Sequence, residues 1–267
     1  MSTSSSTTGS AQVQSQLWGA RARDWAEVQE GQVRPLYEAV LDKLGVGDGT
    51  ELLDAGCGAG LAAQIAAGRG AVVSGFDATS ELLEIARERV PNGEFAQGDL
   101  ESLQYGDSSF DAVAGFNSFQ YALDPRGALQ EARRVARPGS PVAIATWAVP
   151  ERCEAAVYLA ALKPLLPPAP PGAPGPFALS APGALEQLAQ DAGLSPEDDG
   201  EVACRWQYPD LDTALRALLS AGPAIKAIQT SGEDAVRVAV ERAIAPFRDA
   251  SGAYSIGSAF RYLIANA

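Results

Sequence analysis

One run of residues stands out for the chemistry it could host: Leu52-Leu53-Asp54-Ala55-Gly56-Cys57-Gly58-Ala59-Gly60. A short apolar stretch breaks into three glycines at alternate positions, and a helical apolar pattern begins at Leu61. Glycine reaches positive φ without steric cost and lets a ligand approach the backbone closely. A helix that starts just afterwards presents unpaired N–H groups and the positive end of its dipole, which suits a carboxylate. A nucleotide-like cofactor is the natural occupant. Two more carboxylates follow, Asp77 in Gly75-Phe76-Asp77-Ala78-Thr79 and Asp99 in Gly98-Asp99-Leu100. A carboxylate at the end of a second strand can accept both hydroxyls of a ribose. Each feature has a plainer alternative: a tight turn for the glycines, a helix N-cap for Asp77, a turn aspartate for Asp99. All three in register favour the ligand.

Composition narrows the classes of function. The chain has 267 residues, room for one large α/β domain with an insertion or for two small domains. Hydrophobic residues at 46% and charged residues at 20% describe a chain that packs a core. A formal net charge of -13 repels a phosphate backbone, and no dense Lys/Arg cluster offsets it, so nucleic acid is not an expected partner. Cys57, Cys153 and Cys204 lie far apart, with neither metal spacing nor a disulfide framework. There is no histidine, which removes the commonest metal ligand and the commonest general base together; no metal is expected. Cys57 reads as a small filler rather than a nucleophile, because no base lies near it in sequence. No apolar run is long enough to cross a bilayer, and the Ser/Thr-rich residues 1–13 read as a disordered tail rather than a secretion signal. The expectation is a cytoplasmic protein with no membrane partner.

These residues need a scaffold to hold them. Residues 14–44 read as helical, from Leu17, Trp18, Trp25, Val28, Leu36, Val40 and Leu44, with Pro35 opening a second helix. Strands over 51–55, 71–76, 93–97, 110–116 and 141–147 then alternate with helices over 61–67, 79–89 and 125–136. Thr79 or Ser80 caps the second of these helices and Pro91 halts it. Such alternation implies right-handed crossovers and a parallel sheet. Past Pro150 the pattern changes to helices over 154–166, 182–192, 211–219 and 234–244, with strands over 201–208 and 260–264. The stretch 164–176, dense in Pro and Gly, reads as an exposed connector. Ser231 with Asp234 three residues on suits a capping box.

Dinucleotide folds use G-x-G-x-x-G. Here the third glycine comes one place early, giving G-x-G-x-G directly after an acid, Asp54. This resembles the first motif of class I S-adenosylmethionine-dependent methyltransferases, specifically the small-molecule and natural-product members of the type 11 group. The likeness runs over residues 52–147 through Asp77, Gly98-Asp99-Leu100, Asp107-Ser108-Ser109-Phe110-Asp111 and the run from Leu129 to Gly139. It extends to Phe260-Arg261-Tyr262, similar to the family's closing antiparallel strand. The resemblance implies an α/β fold: a Rossmann-like, mostly parallel seven-stranded sheet with helices on both faces and an inserted helical cap. It divides the chain into a core over 14–150, a variable cap over 151–255 carrying one strand near 201–208, and a closing strand over 256–267. It places Asp54, Ala55, Gly56, Gly58 and Gly60 at the cofactor's amino-acid tail, with Asp54 on the amino group. Asp77 and Ala78 meet the ribose, Asp99 and the Leu100 backbone meet the adenine, and Leu82 packs on that ring.

In related enzymes an N-terminal helix closes over the cofactor, which makes Trp18 a candidate contact and Trp25 a candidate for the acceptor. Residues just past the fourth strand face the ligand crevice of an open α/β sheet. That assigns Phe116 and Asn117 to the cofactor and Gln120 to the acceptor, with Trp147 as a further acceptor wall. The implied reaction moves a methyl group from S-adenosyl-L-methionine to a small organic acceptor and leaves S-adenosyl-L-homocysteine. It is an in-line displacement with the acceptor about 3 Å behind the methyl, so alignment and a dry pocket are what the protein supplies. A base is needed only for a poorly acidic hydroxyl, and Tyr121 and Asp124 are the candidates. Two other readings stand beside this one. The first is a cyclisation, rearrangement or hydrolysis on the same fold. The second is a binding module or NAD-linked enzyme, against which the glycine spacing argues. The acceptor's identity is set in residues 151–255, where the resemblance does not transmit it. A monomer or homodimer is expected.

Overall fold

The computed structural model describes residues 10–168 and 176–267. Five parallel strands, β1 (Glu51–Ala55), β2 (Val72–Asp77), β3 (Glu94–Gln97), β4 (Ala112–Phe116) and β5 (Pro141–Trp147), join β6 (Ser195–Tyr208) and β7 (Tyr254–Asn266) in one sheet. The order is β3-β2-β1-β4-β5-β7-β6, with β7 antiparallel to both neighbours. β4 and β5 are almost continuously apolar, as strands covered on both faces must be, and β1 is buried from Leu52 to Ala55 with Asp54 as its one buried charge. The order reverses between β1 and β4, and at such a switch point the crevice beyond the carboxyl ends of the strands is where ligands bind.

The chain begins with α1 (Ala11–Gly19) and α2 (Ala22–Asp24), then a π-helical turn over Trp25–Gln29 and a 3-10 turn over Glu30–Val33, which lead into α3 (Arg34–Lys43). The crossovers supply α4 (Leu61–Gly68), α5 (Ser80–Arg89) and α6 (Pro125–Val135). After β5 come α7 (Ala156–Leu162), α8 (Ala184–Asp191), α9 (Leu211–Leu218), α10 (Gly222–Ser231) and α11 (Glu233–Ile244). Two cores form, one per sheet face. Leu53, Val113 and Ile144 pack against Leu129 of α6 and Leu185 of α8. Leu52, Ala114 and Ala145 pack in a single cluster with Leu36 and Val40 of α3, Leu215 and Leu218 of α9, and Val236 and Val240 of α11. Helices α7, α9, α10 and α11 therefore share a core with α3, while α8 joins α6 on the other face. Because strand residues alternate between faces, Asp54 points with Leu52 toward that second cluster.

The differences from the sequence reading have local causes. Ala11, Gln12 and Val13 are helical, which shortens the expected tail; residues 1–9 and 169–175 lie outside the described residues. The strand expected over 201–208 begins at Ser195, and the closing strand starts at Tyr254. β6 is an edge strand whose outer half, Ser195-Pro196-Glu197-Asp198-Asp199-Gly200, is polar and turn-like; a bulge at Pro196/Asp198 absorbs the proline. α10 lies between two expected helices, where none is expected from the sequence; Pro223 sits in its first turn. The Ser231 capping box does not form. Ser231 ends α10 and its Oγ donates to the carbonyl of Leu165 at 2.9 Å, while Gly232 at φ +84 precedes α11. Among the described residues no helix is long and apolar enough to cross a membrane.

Candidate functional site

The glycine loop closes over the end of β1. Gly56 N–H donates to the carbonyl of Phe76 at 2.7 Å, and Gly60 N–H to that of Cys57 at 2.9 Å. All three glycines take positive φ, +81, +54 and +80. They differ in what surrounds them. A Cβ on Gly56 would overlap the Cβ of Ser118, and one on Gly60 would lie 2.8 Å from the Cβ of Ala86. A Cβ on Gly58 would meet only Oε1 of Glu30 at 3.7 Å and Nε1 of Trp25 at 3.9 Å. Gly56 and Gly60 are thus required by packing, whereas Gly58 is bare toward a polar space.

Asp77 ties this loop to the end of β2. Its Oδ2 accepts from Gly58 N–H at 2.9 Å and its Oδ1 from Thr79 N–H at 2.8 Å. Thr79 occupies the N-cap position of α5 without a side-chain cap bond, and Asp77 accepts from the N–H of this cap residue itself. Each Asp77 oxygen still has a lone pair for a further donor. Burial raises the Asp77 pKa, and the backbone donors from Gly58 and Thr79 oppose the rise. The carbonyl of Ala78 accepts from Gln97 at 2.8 Å. Ala55 is fully buried. Asp99 accepts from Glu101 N–H at 3.1 Å and from Ala11 N–H, at the start of α1, at 3.3 Å. Leu100 is half-buried against the core beneath. Leu82 lies in a small cluster with Ala22, Ala26 and Ala59, against which Trp18 and Trp25 pack.

Trp18 and Trp25 meet edge to face at 4.8 Å, and Trp18 meets Tyr121 at 5.8 Å. The N-terminal segment therefore lies across the ends of β2 and β4. Asn117 follows β4 at φ +52, a left-handed conformation a non-glycine residue adopts at some cost, and such strain clusters at functional sites. Its Oδ1 accepts from Gln120 at 3.1 Å. Phe116 contacts Tyr37 at 4.8 Å. Trp147 stands apart from these, in an aromatic group with Phe260, Phe177 and Trp206 at 4.8, 5.8 and 5.9 Å. Burial pushes the Tyr121 hydroxyl up to about 12. Asp124 is exposed, with its carboxylate folded over the first turn of α6 beside Gly127.

Asp54 is 1% exposed, and neither of its oxygens has a hydrogen-bond partner among the described residues. Burial first, then the charges of Glu30 and Asp77, push it up to about 8. Cys57 and Tyr37 are raised in their turn, mainly by burial, with the nearby carboxylates adding to it. An acid raised in this way keeps its proton in the fold, so the folded state binds more protons than the unfolded chain between 3.8 and about 8. Its contribution to stability is full at low pH and falls as pH rises through that window. The melting temperature of the ligand-free protein is expected to drop from about pH 5 to about pH 8, and Asp54→Asn to flatten that slope. Glu30 and Asp77 are raised too, so some slope persists. Parallel melting profiles for wild type and variant would contradict this reading of Asp54.

Glu30 and Arg89 are site residues that the sequence reading missed. The helix N-terminus expected to face a ligand carboxylate faces a protein one: Leu61 N–H donates to Glu30 Oε1 at 3.4 Å. Arg89 pairs with Glu30 and donates to the carbonyls of Ala59 and Ala26 at 2.9 and 2.7 Å. No motif flags this pair, whose members lie 59 positions apart.

A switch-point glycine loop, an acid at the end of each of the first two strands and a seventh antiparallel strand define a class I S-adenosylmethionine-dependent methyltransferase fold. The comparisons agree. Residues 53–144 match the family described as a methyltransferase domain. The demethylmenaquinone methyltransferase of Renibacterium salmoninarum is 32% identical over 120 residues, covering 45% of this chain and 51% of that protein. Methyltransferase GfsG of Streptomyces halstedii is 37% identical over 127 residues, 45% of this chain and 44% of that one. The chain thus spans about half the length of the curated relatives it matches. Among solved structures, the YcgJ protein of Bacillus subtilis superimposes with a TM-score of 0.56 at 20% identity, covering 86% of this chain and 98% of that one. The [4+2]-cyclase SpnF gives 0.54 at 20% identity, covering 86% and 80%. At that identity the likeness concerns the fold, and a fold does not fix the reaction.

Proposed function

We propose that this protein transfers a methyl group from S-adenosylmethionine to a small organic acceptor. The observation that carries the proposal is the pair of orphaned Asp54 oxygens beneath a glycine loop whose middle member is open. A buried carboxylate without a partner is costly and calls for a cation or donor. S-adenosylmethionine brings a positively charged tail nitrogen and, when bound, supplies an electrophilic methyl on a sulfonium. Relatives named for demethylmenaquinone and for malonyl-[acyl-carrier protein] as substrates support an organic acceptor.

The chain's own residues hold and orient. Asp54 and the loop from Ala55 to Gly60 take the amino-acid tail. Asp77, with Ala78, has lone pairs free for the ribose hydroxyls. Asp99 and Leu100 take the base, with Leu82, Trp18, Phe116 and Asn117 around it. Asp99 also accepts from Ala11 N–H, which places the start of α1 beside the proposed base site. Helices α7, α9, α10 and α11 form the cap over the acceptor, and Gln120 borders the acceptor space; Trp25 lies at the glycine loop and Trp147 in a separate aromatic group. No side chain is assigned as base. A tyrosine pushed up to about 12 holds its proton at neutral pH, and Asp124 faces solvent. Catalysis then rests on alignment and exclusion of water.

The test supplies S-adenosylmethionine and the small molecules that copurify with the protein, and follows products by mass spectrometry. A product heavier by one CH2 group and S-adenosylhomocysteine are expected to rise in step. Conversion of the acceptor with no S-adenosylhomocysteine formed would point instead to a cyclisation, rearrangement or hydrolysis.

A further inference from the structure

Glu30 lies outside the motifs of the glycine loop, yet its side chain is 3% exposed at that loop. Its Oε2 is committed to Arg89. Its Oε1 has a single long hydrogen bond, 3.4 Å from Leu61 N–H, and sits beside the open side of Gly58 with Trp25 Nε1 as its neighbour. Asp54, which feels the charge of Glu30, lacks a partner on both oxygens. Glu30, Asp54 and Asp77 therefore place three carboxylates around one loop, and Arg89 answers for Glu30 alone. Burial and the neighbouring carboxylates keep the Asp54 proton in the ligand-free fold, and a cationic ligand group can displace that proton where an anionic one cannot.

We infer that Glu30 is a second carboxylate of the ammonium seat: its Oε1, delivered by the N-terminal segment, shares with Asp54 the α-ammonium of the cofactor's tail. The inference rests on the cofactor reading proposed above. A primary ammonium offers three donors. Glu30 Oε1 and the two Asp54 oxygens are three acceptors without a firm partner. Arg89 pins the segment from Ala26 to Glu30 onto Ala59 of the loop, so this carboxylate arrives already oriented. The N-terminal segment then belongs to the tail site as well as lying across the base.

The experiment compares two ligands on the full chain. S-adenosylhomocysteine carries the charged tail; 5′-methylthioadenosine keeps the adenosine and sulfur and lacks it. Glu30→Gln preserves size and removes the charge. It is expected to weaken S-adenosylhomocysteine about tenfold or more, the worth of a charged hydrogen bond, and to leave methylthioadenosine within about twofold. Equal loss for both ligands would show that Glu30 only shapes the loop, and no loss for S-adenosylhomocysteine would remove it from the seat; either result overturns the inference. Should Glu30→Gln unfold, Glu30→Asp draws the charge back by one methylene and is expected to show the same tail-specific loss. A wild-type protein that binds neither ligand would refute the adenosyl site itself, and this inference with it.

Discussion

Gly58→Leu is expected to weaken S-adenosylhomocysteine binding by more than about 100-fold while the protein stays folded. The left-handed backbone at φ +54 costs a side chain roughly 1–3 kcal/mol, which a domain of this size tolerates. No backbone atom stands in the way of the Cβ, and the nearest atoms are the tips of Glu30 and Trp25 at 3.7 and 3.9 Å. A leucine there fills the space in which the cofactor's tail is proposed to lie. The neighbouring glycines separate the effects. Gly56→Ala drives a methyl into Ser118, and Gly60→Ala brings one to 3.0 Å of the Ala86 Cα, so both are expected to lower the melting temperature before binding is at issue. Calorimetric titration beside thermal melts distinguishes the three. Retained tight binding by Gly58→Leu, or a melting temperature as depressed as that of Gly56→Ala, would contradict the cradle.

Asp77→Ala is expected to reduce cofactor affinity roughly 100-fold, from ~1–3 kcal/mol for each donor left without an acceptor. Two such donors are visible, the N–H groups of Gly58 and Thr79. The ribose hydroxyls are the proposed third and fourth. Loss of the first frees the loop, and loss of the others removes ligand contacts, so the variant combines both. Asp77→Asn keeps one acceptor oxygen and is expected to fall between wild type and alanine. Unchanged affinity in Asp77→Ala would remove the ribose assignment.

The parts of the fold around the proposed site that were legible in the sequence are those whose physics is local. Leu52, Leu53 and Ala55 are apolar because both faces of β1 are covered, and three glycines at alternate positions announce a tight bend. The placement of Asp77 at a strand end followed from the same pattern. Glu30 was illegible for a different reason. Helical spacing locates a buried face only while the helix keeps its period, and the π-helical turn over Trp25–Gln29 shifts that period just before Gln29 and Glu30 turn inward. Its partner Arg89 lies in the last turn of α5, where a basic residue needs no explanation beyond the helix dipole. The outer half of β6 failed for lack of apolar residues, because pairing with β7, not burial, holds it.

The glycine loop with Asp54, Asp77 and Asp99 is proposed as an adenosyl-amino-acid site. Calorimetric titration of the wild-type protein with S-adenosylhomocysteine, run in parallel with NAD, tests it most directly. Saturable binding of one S-adenosylhomocysteine per chain, with no heat from NAD, is the expected result. Binding of NAD in place of S-adenosylhomocysteine would contradict it.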